Sequence, residues 1–439
     1  MIDLKFLHKE TLRLAIPNIL SNLTVPLLSS VDMALMGHEP DIIFIGALSL
    51  GVMIFNMLYW GFAFLRMGTT GLTGKAFGAG SQTNQLEIFW RAALLSVVLG
   101  VILIIIQTPL SHLILSLVDT EDQLKSLSLE YFSIRIWAAP ATLLSFVLSG
   151  WFLGMQNARF PLYMALVANV FNILLNLFFV RVLNQDIEGV AYGTLIAQYA
   201  QVILALLLIS KKYSFVWNIP KAEMLVQKKE LVELFSINRD IFIRTACIIF
   251  GFAFFRISSV NSILLQLLFL LSYGVDGFAF ASESMVSKYT GMKSKKGIIQ
   301  AVKTSFLWAM GLAVLISGAY FFFYDSILGA FSSQNEVLIA AQKYYWWVVF
   351  LPILFTPAFI WDGVFIGATK TVLMRNTMLA STILVYIPAY YLAVEQIGAH
   401  ALWLAITLFM LSRGILLGYF FIKKKIPAEL AGISKPTQS

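Results

Sequence analysis

Twelve long apolar runs, each set off from the next by a polar break, constrain this chain more than any other feature of its sequence. They fall at 12–36, 42–67, 88–108, 131–153, 160–182, 187–209, 231–254, 258–285, 300–324, 344–366, 374–394 and 399–421. A helix needs about 20 mostly apolar residues to cross a bilayer. In hydrocarbon every backbone N–H and C=O must be paired within the protein, so runs of this length are satisfied as helices. Composition agrees, with 59% hydrophobic residues and only 12% charged, against roughly 25% charged in a soluble domain. The expected fold class is an all-α polytopic membrane protein with twelve transmembrane helices.

Charge placement orients these spans. The even-numbered connections are basic: Lys75; Arg159; Lys211, Lys212, Lys221, Lys228 and Lys229; Lys288, Lys293, Lys295 and Lys296; Lys370 and Arg375. Both ends are basic too, through Lys5, Lys9 and Arg13 and through Lys423, Lys424, Lys425 and Lys435. The odd connections hold scattered cations and several acids, among them Asp41, Asp119, Glu121, Asp122, Asp186 and Glu336. Cytoplasmic loops collect Lys and Arg, so both termini are expected in the cytoplasm of a plasma (inner) membrane protein. The net charge of +8 is then a matter of topology, and no nucleic-acid partner is expected. The single cysteine, Cys247, offers neither a disulfide nor a Cys-based metal site. The first nine residues do not read as a removable signal peptide.

The chain repeats itself. GKAFG at 74–78 matches SKYTG at 287–291, a shift of 213 residues. The same shift carries Gly150 onto Gly363, Gly154 onto Gly367 and Tyr131 onto Tyr344, while Pro140 and Pro352 agree within one position. Helix 2 therefore corresponds to helix 8 and helix 4 to helix 10. The halves are parallel repeats, expected to enclose a cavity near the midplane. The organisation expected is a six-helix lobe at 1–209, a cytoplasmic linker at 210–230, a second six-helix lobe at 231–422 and a tail at 423–439.

Several segments resemble one family: PLLSSVDMALMGH at 26–38, FLRMGTTGLT at 64–73, GWFLGMQ at 150–156 and DGVFIGAT at 362–369. They are similar to the multidrug and toxic compound extrusion (MATE) family. With YGVDGFA at 273–279 and HALWLA at 400–405 they resemble more narrowly its DNA-damage-inducible F (DinF) branch. The resemblance covers nearly the whole chain. It implies the MATE fold of two pseudo-symmetric six-helix bundles. It also implies an antiporter that expels amphipathic, often cationic compounds against an inward flow of protons or sodium.

Ionisable residues inside spans are costly and mark functional hypotheses. Asp32 lies in the outer half of helix 1, where desolvation favours its neutral form and suits it to proton exchange; the alternative is a carboxylate held by fixed hydrogen bonds. Asn169, Asn172 and Asn176 stand at i, i+3 and i+7 and share one face of helix 5, either as a functional surface or as interhelical packing contacts. The resemblance joins Asp32, Asn172, Asn176 and Thr194 into an ion-coupling cluster. Relatives commonly carry aspartate where this chain has Asn176, a departure that disfavours sodium and favours the proton. Pro17 and Pro26 remove backbone donors from helix 1 and permit a bend there.

The second half contributes Arg244, Asp276, Glu283 and Asp362. Asp276 and Glu283 share one face of helix 8, and a pairing of Arg244 with either would make a buried ion pair, structural or functional. Asp276 could instead attract a cationic substrate, alongside Asn169, Met53 and Arg244 as substrate-binding candidates. Arg66, Glu283 and Asp362 lie towards the cytoplasmic ends, where snorkelling or gate-closing bridges are expected. Met53, Phe55, Met57, Tyr59 and Trp60 give helix 2 an adaptable apolar surface, which lipid contact or ligands could use equally.

No phosphate loop, dinucleotide fingerprint or HExxH motif is present, and the four histidines show no ligand spacing. No metal or cofactor beyond the coupling ion, H⁺ or possibly Na⁺, is expected. No nucleophile cluster suggests an enzyme. A sodium-coupled exporter or a lipid-precursor flippase of the same superfamily are the rival readings, the flippase disfavoured by few buried cations. Partners are expected to be amphipathic small molecules and the bilayer, with the monomer as the working unit.

Overall fold

The computed structural model describes residues 4–36, 43–116, 120–225, 227–253, 259–331 and 334–432, and all regular structure among them is helical. In chain order the spans are α1 (Leu4–Met36), α2 (Ile43–Trp60, then Phe64–Gly78), α3 (Gln82–Ile105, then Gln107–Ser116), α4 (Asp122–Arg135, then Ala139–Gly154), α5 (Arg159–Leu177) and α6 (Ile187–Lys212). The second set is α7 (Lys228–Ala253), α8 (Ser259–Gly291), α9 (Lys295–Phe331), α10 (Tyr345–Gly367), α11 (Thr371–Ser381, then Ile387–Ile397) and α12 (His400–Lys423). Ten of these helical units are long and apolar enough to cross a membrane. The other two, α1 and α7, carry Lys9, Glu10 and Arg13 and Arg239, Asp240 and Arg244 respectively.

Expected spans and observed helices differ at their ends. Helix α2 is broken at Gly61–Ala63, where Phe62 and Ala63 donate to the carbonyls of Tyr59 and Trp60 in a tight turn. Helices α2 and α8 run on beyond residues 67 and 285 into GKAFG and SKYTG, because the lobes pack against each other there and shield polar side chains from lipid. Helix α1 continues through Pro17 and Pro26. The fifth helix of each half carries a π turn, at Phe178–Val182 and Thr382–Tyr386. Such turns shift the hydrogen-bond ladder by one residue and recur at functional positions.

The repeat is visible in the backbone. Gly150 lies against the Arg66 carbonyl and Gly363 against the Ala279 carbonyl, each contact displaced by 213 residues from the other. Gln156 (φ 60°) and Thr369 (φ 55°) are left-handed, as are Gly80 (φ 70°) and Lys293 (φ 52°), again 213 apart. Three of these residues, Gln156, Thr369 and Lys293, hold this strained conformation without glycine's freedom, so the turns are shaped by the surrounding packing in both halves.

The halves meet along α2 and α8. Gly78 faces the Lys288 carbonyl while its counterpart Gly291 faces the Lys75 carbonyl. Gly74 faces Ser287, and the carbonyls of Leu153 and Ser284 accept from Ser284 Oγ (2.5 Å) and Gln156 Nε2 (2.8 Å). In a membrane, apolar side chains gain little by leaving lipid, so close backbone approach at small residues holds helices together. All these contacts lie at the end of the molecule bearing Lys75 and Lys288, the basic end. There Glu10 of α1, 2% exposed, also accepts from Lys288 Nζ at 2.5 Å.

Candidate functional site

Two polar clusters occupy the two halves, and they differ in kind. In the first half, Asn172 Nδ2 donates to Thr194 Oγ1 at 2.8 Å, Asn176 Nδ2 donates to Asn172 Oδ1 at 3.0 Å, and Thr194 Oγ1 donates to the Val190 carbonyl at 2.9 Å. Asn172 and Asn176 are 2% and 1% exposed, so this is an interior chain and not a lipid-facing stripe. The sequence builds it from an i, i+4 pair on α5 and a hydroxyl on α6. Gly193 makes room, since any side chain there would strike the Asn176 amide. Asn169 is half-buried on the same helix and outside this chain of bonds.

Asp32 lies on α1, which packs against α5 and α8; its side chain lies outside the described residues. Met53 packs, partly buried, against the core of the first half. On α4 of the same half, Arg135 Nη1 donates to Tyr131 Oη at 2.6 Å, and its guanidinium lies 4.6 Å from the centre of the Phe55 ring.

The second half holds a charged cluster. Arg244 of α7 and Arg413 of α12 both pair with Oδ2 of Asp362 on α10, the Arg413 contact measuring 2.5 Å. Arg66 of α2 crosses from the first half, 3.6 Å from Glu283 Oε2, with its guanidinium 3.9 Å from the centre of the Phe280 ring. Asp276 accepts from Ser272 Oγ at 2.9 Å. Arg66, Arg244, Asp276, Glu283 and Asp362 line a cavity of about 30 Å³, room for roughly two waters. Three cations and three acids balance, as burial demands, because removing one member of a buried pair leaves an uncompensated charge.

The pairing expected of Arg244 with Asp276 or Glu283 is therefore corrected: its partner is Asp362. Helices α7 and α8 follow each other in sequence, yet α7 packs chiefly against α11 and α2. Asp362 is likewise not a snorkelling group at a helix end but a buried hub, 4% exposed. Sequence reasoning missed Arg413, though an arginine in the middle of the apolar run 399–421 carries the same signal as Arg244. It also missed Glu10 and Asp240, buried acids bound by Lys288 and by Arg375 and Thr371. Each was masked by neighbouring basic residues that read as an ordinary cytoplasmic end.

The family model MatE matches residues 17–178 and 258–392, one block in each half. The chain belongs to the MatE family. It is 31% identical over 416 residues to the DNA damage-inducible protein F of Escherichia coli, covering 93% of this chain and 90% of that one. It is 21% identical to the probable multidrug resistance protein NorM of Thermotoga maritima, covering 76% and 74%. Among solved structures, the eukaryotic MATE transporter AtDTX14 superposes with a TM-score of 0.85 at 17% identity, covering 98% and 99%. This MATE protein thus has the family's fold of twelve helices in two bundles, and it is a membrane transporter and not an enzyme.

Proposed function

We propose that this MATE protein is a secondary active multidrug antiporter that exports amphipathic, often cationic compounds in exchange for inward protons by alternating access. The observation that carries the reading is the pairing of a neutral amide chain, beside the helix that bears Asp32, with a seam that closes the basic end. Asn172, Asn176 and Thr194 offer neutral oxygens only. Sodium prefers more anionic oxygen, and Asp32 as the one carboxylate of that cluster suits a proton better. With the basic end in the cytoplasm of the plasma membrane, the arrangement described is shut to the cytoplasm. Glu10–Lys288 and Arg66–Glu283 then serve as bridges of the closed gate, Pro17 and Pro26 as the places where α1 bends. Rocking of the halves breaks this seam and opens the cytoplasmic side.

Substrate is held by apolar walls, including the surface around Met53 and Asn169, and by the carboxylate of Asp276. Arg244, bound to Asp362, is better placed to hold the cluster together than to meet substrate. The flippase reading gains buried cations in Arg66 and Arg413, but each faces an acid, and a net cationic cavity is what that reading needs. The monomer contains both halves and is the proposed working unit, with no cofactor beyond the coupling ion.

The test uses energised vesicles containing the purified chain. Adding a cationic dye should collapse a preset proton gradient, with no requirement for sodium. A gradient left intact by every dye, or collapse only with sodium present, would overturn the proton-antiport assignment.

A further inference from the structure

The charged cluster of the second half throws one residue of the first into relief. Arg66, Arg244 and Arg413 each face a carboxylate. Arg135 does not: its described contacts are the Tyr131 hydroxyl at 2.6 Å and the rings of Phe55 and Tyr131, 4.6 and 5.4 Å from the guanidinium carbon. Phe55 and Tyr131 are 0% and 1% exposed, so the seat of the guanidinium is buried while the group itself stays partly exposed. Stacking occupies the face of the guanidinium plane and leaves the N–H groups along its edge for a partner. Tyr59 of α2, half-buried, extends the aromatic seat, its ring centre 5.5 Å from that of Phe55. Arg135 sits 19 residues before Gly154, about 28 Å along the helix by its rise of 1.5 Å per residue, and 13 residues after Asp122, well away from the basic seam.

We infer that Arg135 is an anion-recognising residue of the first half, the specificity-determining group for the carboxylate or sulfonate of an amphipathic substrate. The inference deepens the antiport reading and rests on it for direction. A carboxylate or sulfonate meets the guanidinium edge in a two-bond fork. An isolated surface lysine would give attraction without this geometry. The fixed seat on Phe55 and Tyr131 supplies orientation before the ligand arrives, which reduces the ordering cost of binding. The same chemistry would also suit the phosphate of a lipid headgroup, and the test separates the two.

The test compares two probes with one body and opposite charge, 1-pyrenebutyrate and 1-pyrenemethylamine, binding to the full chain in phosphatidylcholine nanodiscs. Arg135→Gln should weaken the carboxylate by about tenfold or more, the size of a charge-assisted bond pair, and the amine by less than about twofold. Arg135→Lys should fall between, since it keeps the charge and loses the fork. If Arg135→Gln does not fold, Arg135→Lys against wild type carries the test through the same ratio of the two probes. Equal loss of both probes, or an unchanged carboxylate affinity, would overturn the assignment. So would full suppression of carboxylate binding by added phosphatidylglycerol, which would make Arg135 a headgroup contact. Carboxylate binding that depends on Arg135 without any proton flux would instead leave this site standing and remove the antiport reading.

Discussion

The two halves descend from one plan and handle buried polarity in opposite ways. The first half joins neutral amides and hydroxyls through Asn172, Asn176 and Thr194. The second neutralises full charges, with Asp362 gripped by two arginines and Glu283 facing a third that reaches across from α2. Neutral groups can exchange a hydrogen bond at a cost of about 1 kcal/mol. A buried ion pair that loses one member costs roughly 3–5 kcal/mol. Links like those of Asn172, Asn176 and Thr194 are thus cheap to exchange, while the grip of Arg244 and Arg413 on Asp362 is costly to break.

The largest expected effect breaks the comparison at its rigid side. Asp362→Asn leaves Arg244 and Arg413 together without their anion, and about 3–5 kcal/mol of stability should be lost. Thermal unfolding in detergent measures it, and an unchanged midpoint would show that water or another acid already neutralises the arginines. Next in size is the shared seam. A side chain on Gly78 would run into the Lys288 carbonyl, and one on Gly291 into the Lys75 carbonyl. Overpacking of this kind costs typically 1–3 kcal/mol, so Gly78→Leu and Gly291→Leu should raise backbone amide hydrogen exchange at the basic end to the same degree. Unequal exchange would show that the halves do not share the seam evenly. Smallest is Asn172→Ala, which removes a neutral link worth about 0.6 kcal/mol in a membrane protein. Its unfolding should shift little while the pH profile of transport moves, and a stability loss as large as that of Asp362→Asn would erase the contrast between the halves.

Much of this was legible in the sequence, and the limits have a physical reason. Apolar runs and the 213-residue shift gave the spans and the repeat, and the glycines at 78, 150, 291 and 363 proved to be where backbones touch. The face shared by Asn172 and Asn176 followed from helical spacing. Partners across helices did not. Sequence fixes the depth of Arg244 in the membrane, while its choice of Asp362 over Asp276 depends on how α7 is turned and which helices it packs against. The break in α2 at Gly61–Ala63 was equally hidden, because a run of apolar residues reads the same whether the ladder inside it is continuous or interrupted.

The central claim is that proton coupling resides in the neutral first half, at Asp32, and not in the charged second half. Substrate-driven proton flux in proteoliposomes tests it most directly, comparing Asp32→Asn with Asp276→Asn. The account expects Asp32→Asn to reduce coupled flux to the level of protein-free vesicles while Asp276→Asn keeps a measurable pH-driven flux with weaker cation affinity. Full coupled flux from Asp32→Asn, or its abolition by Asp276→Asn alone, would contradict it.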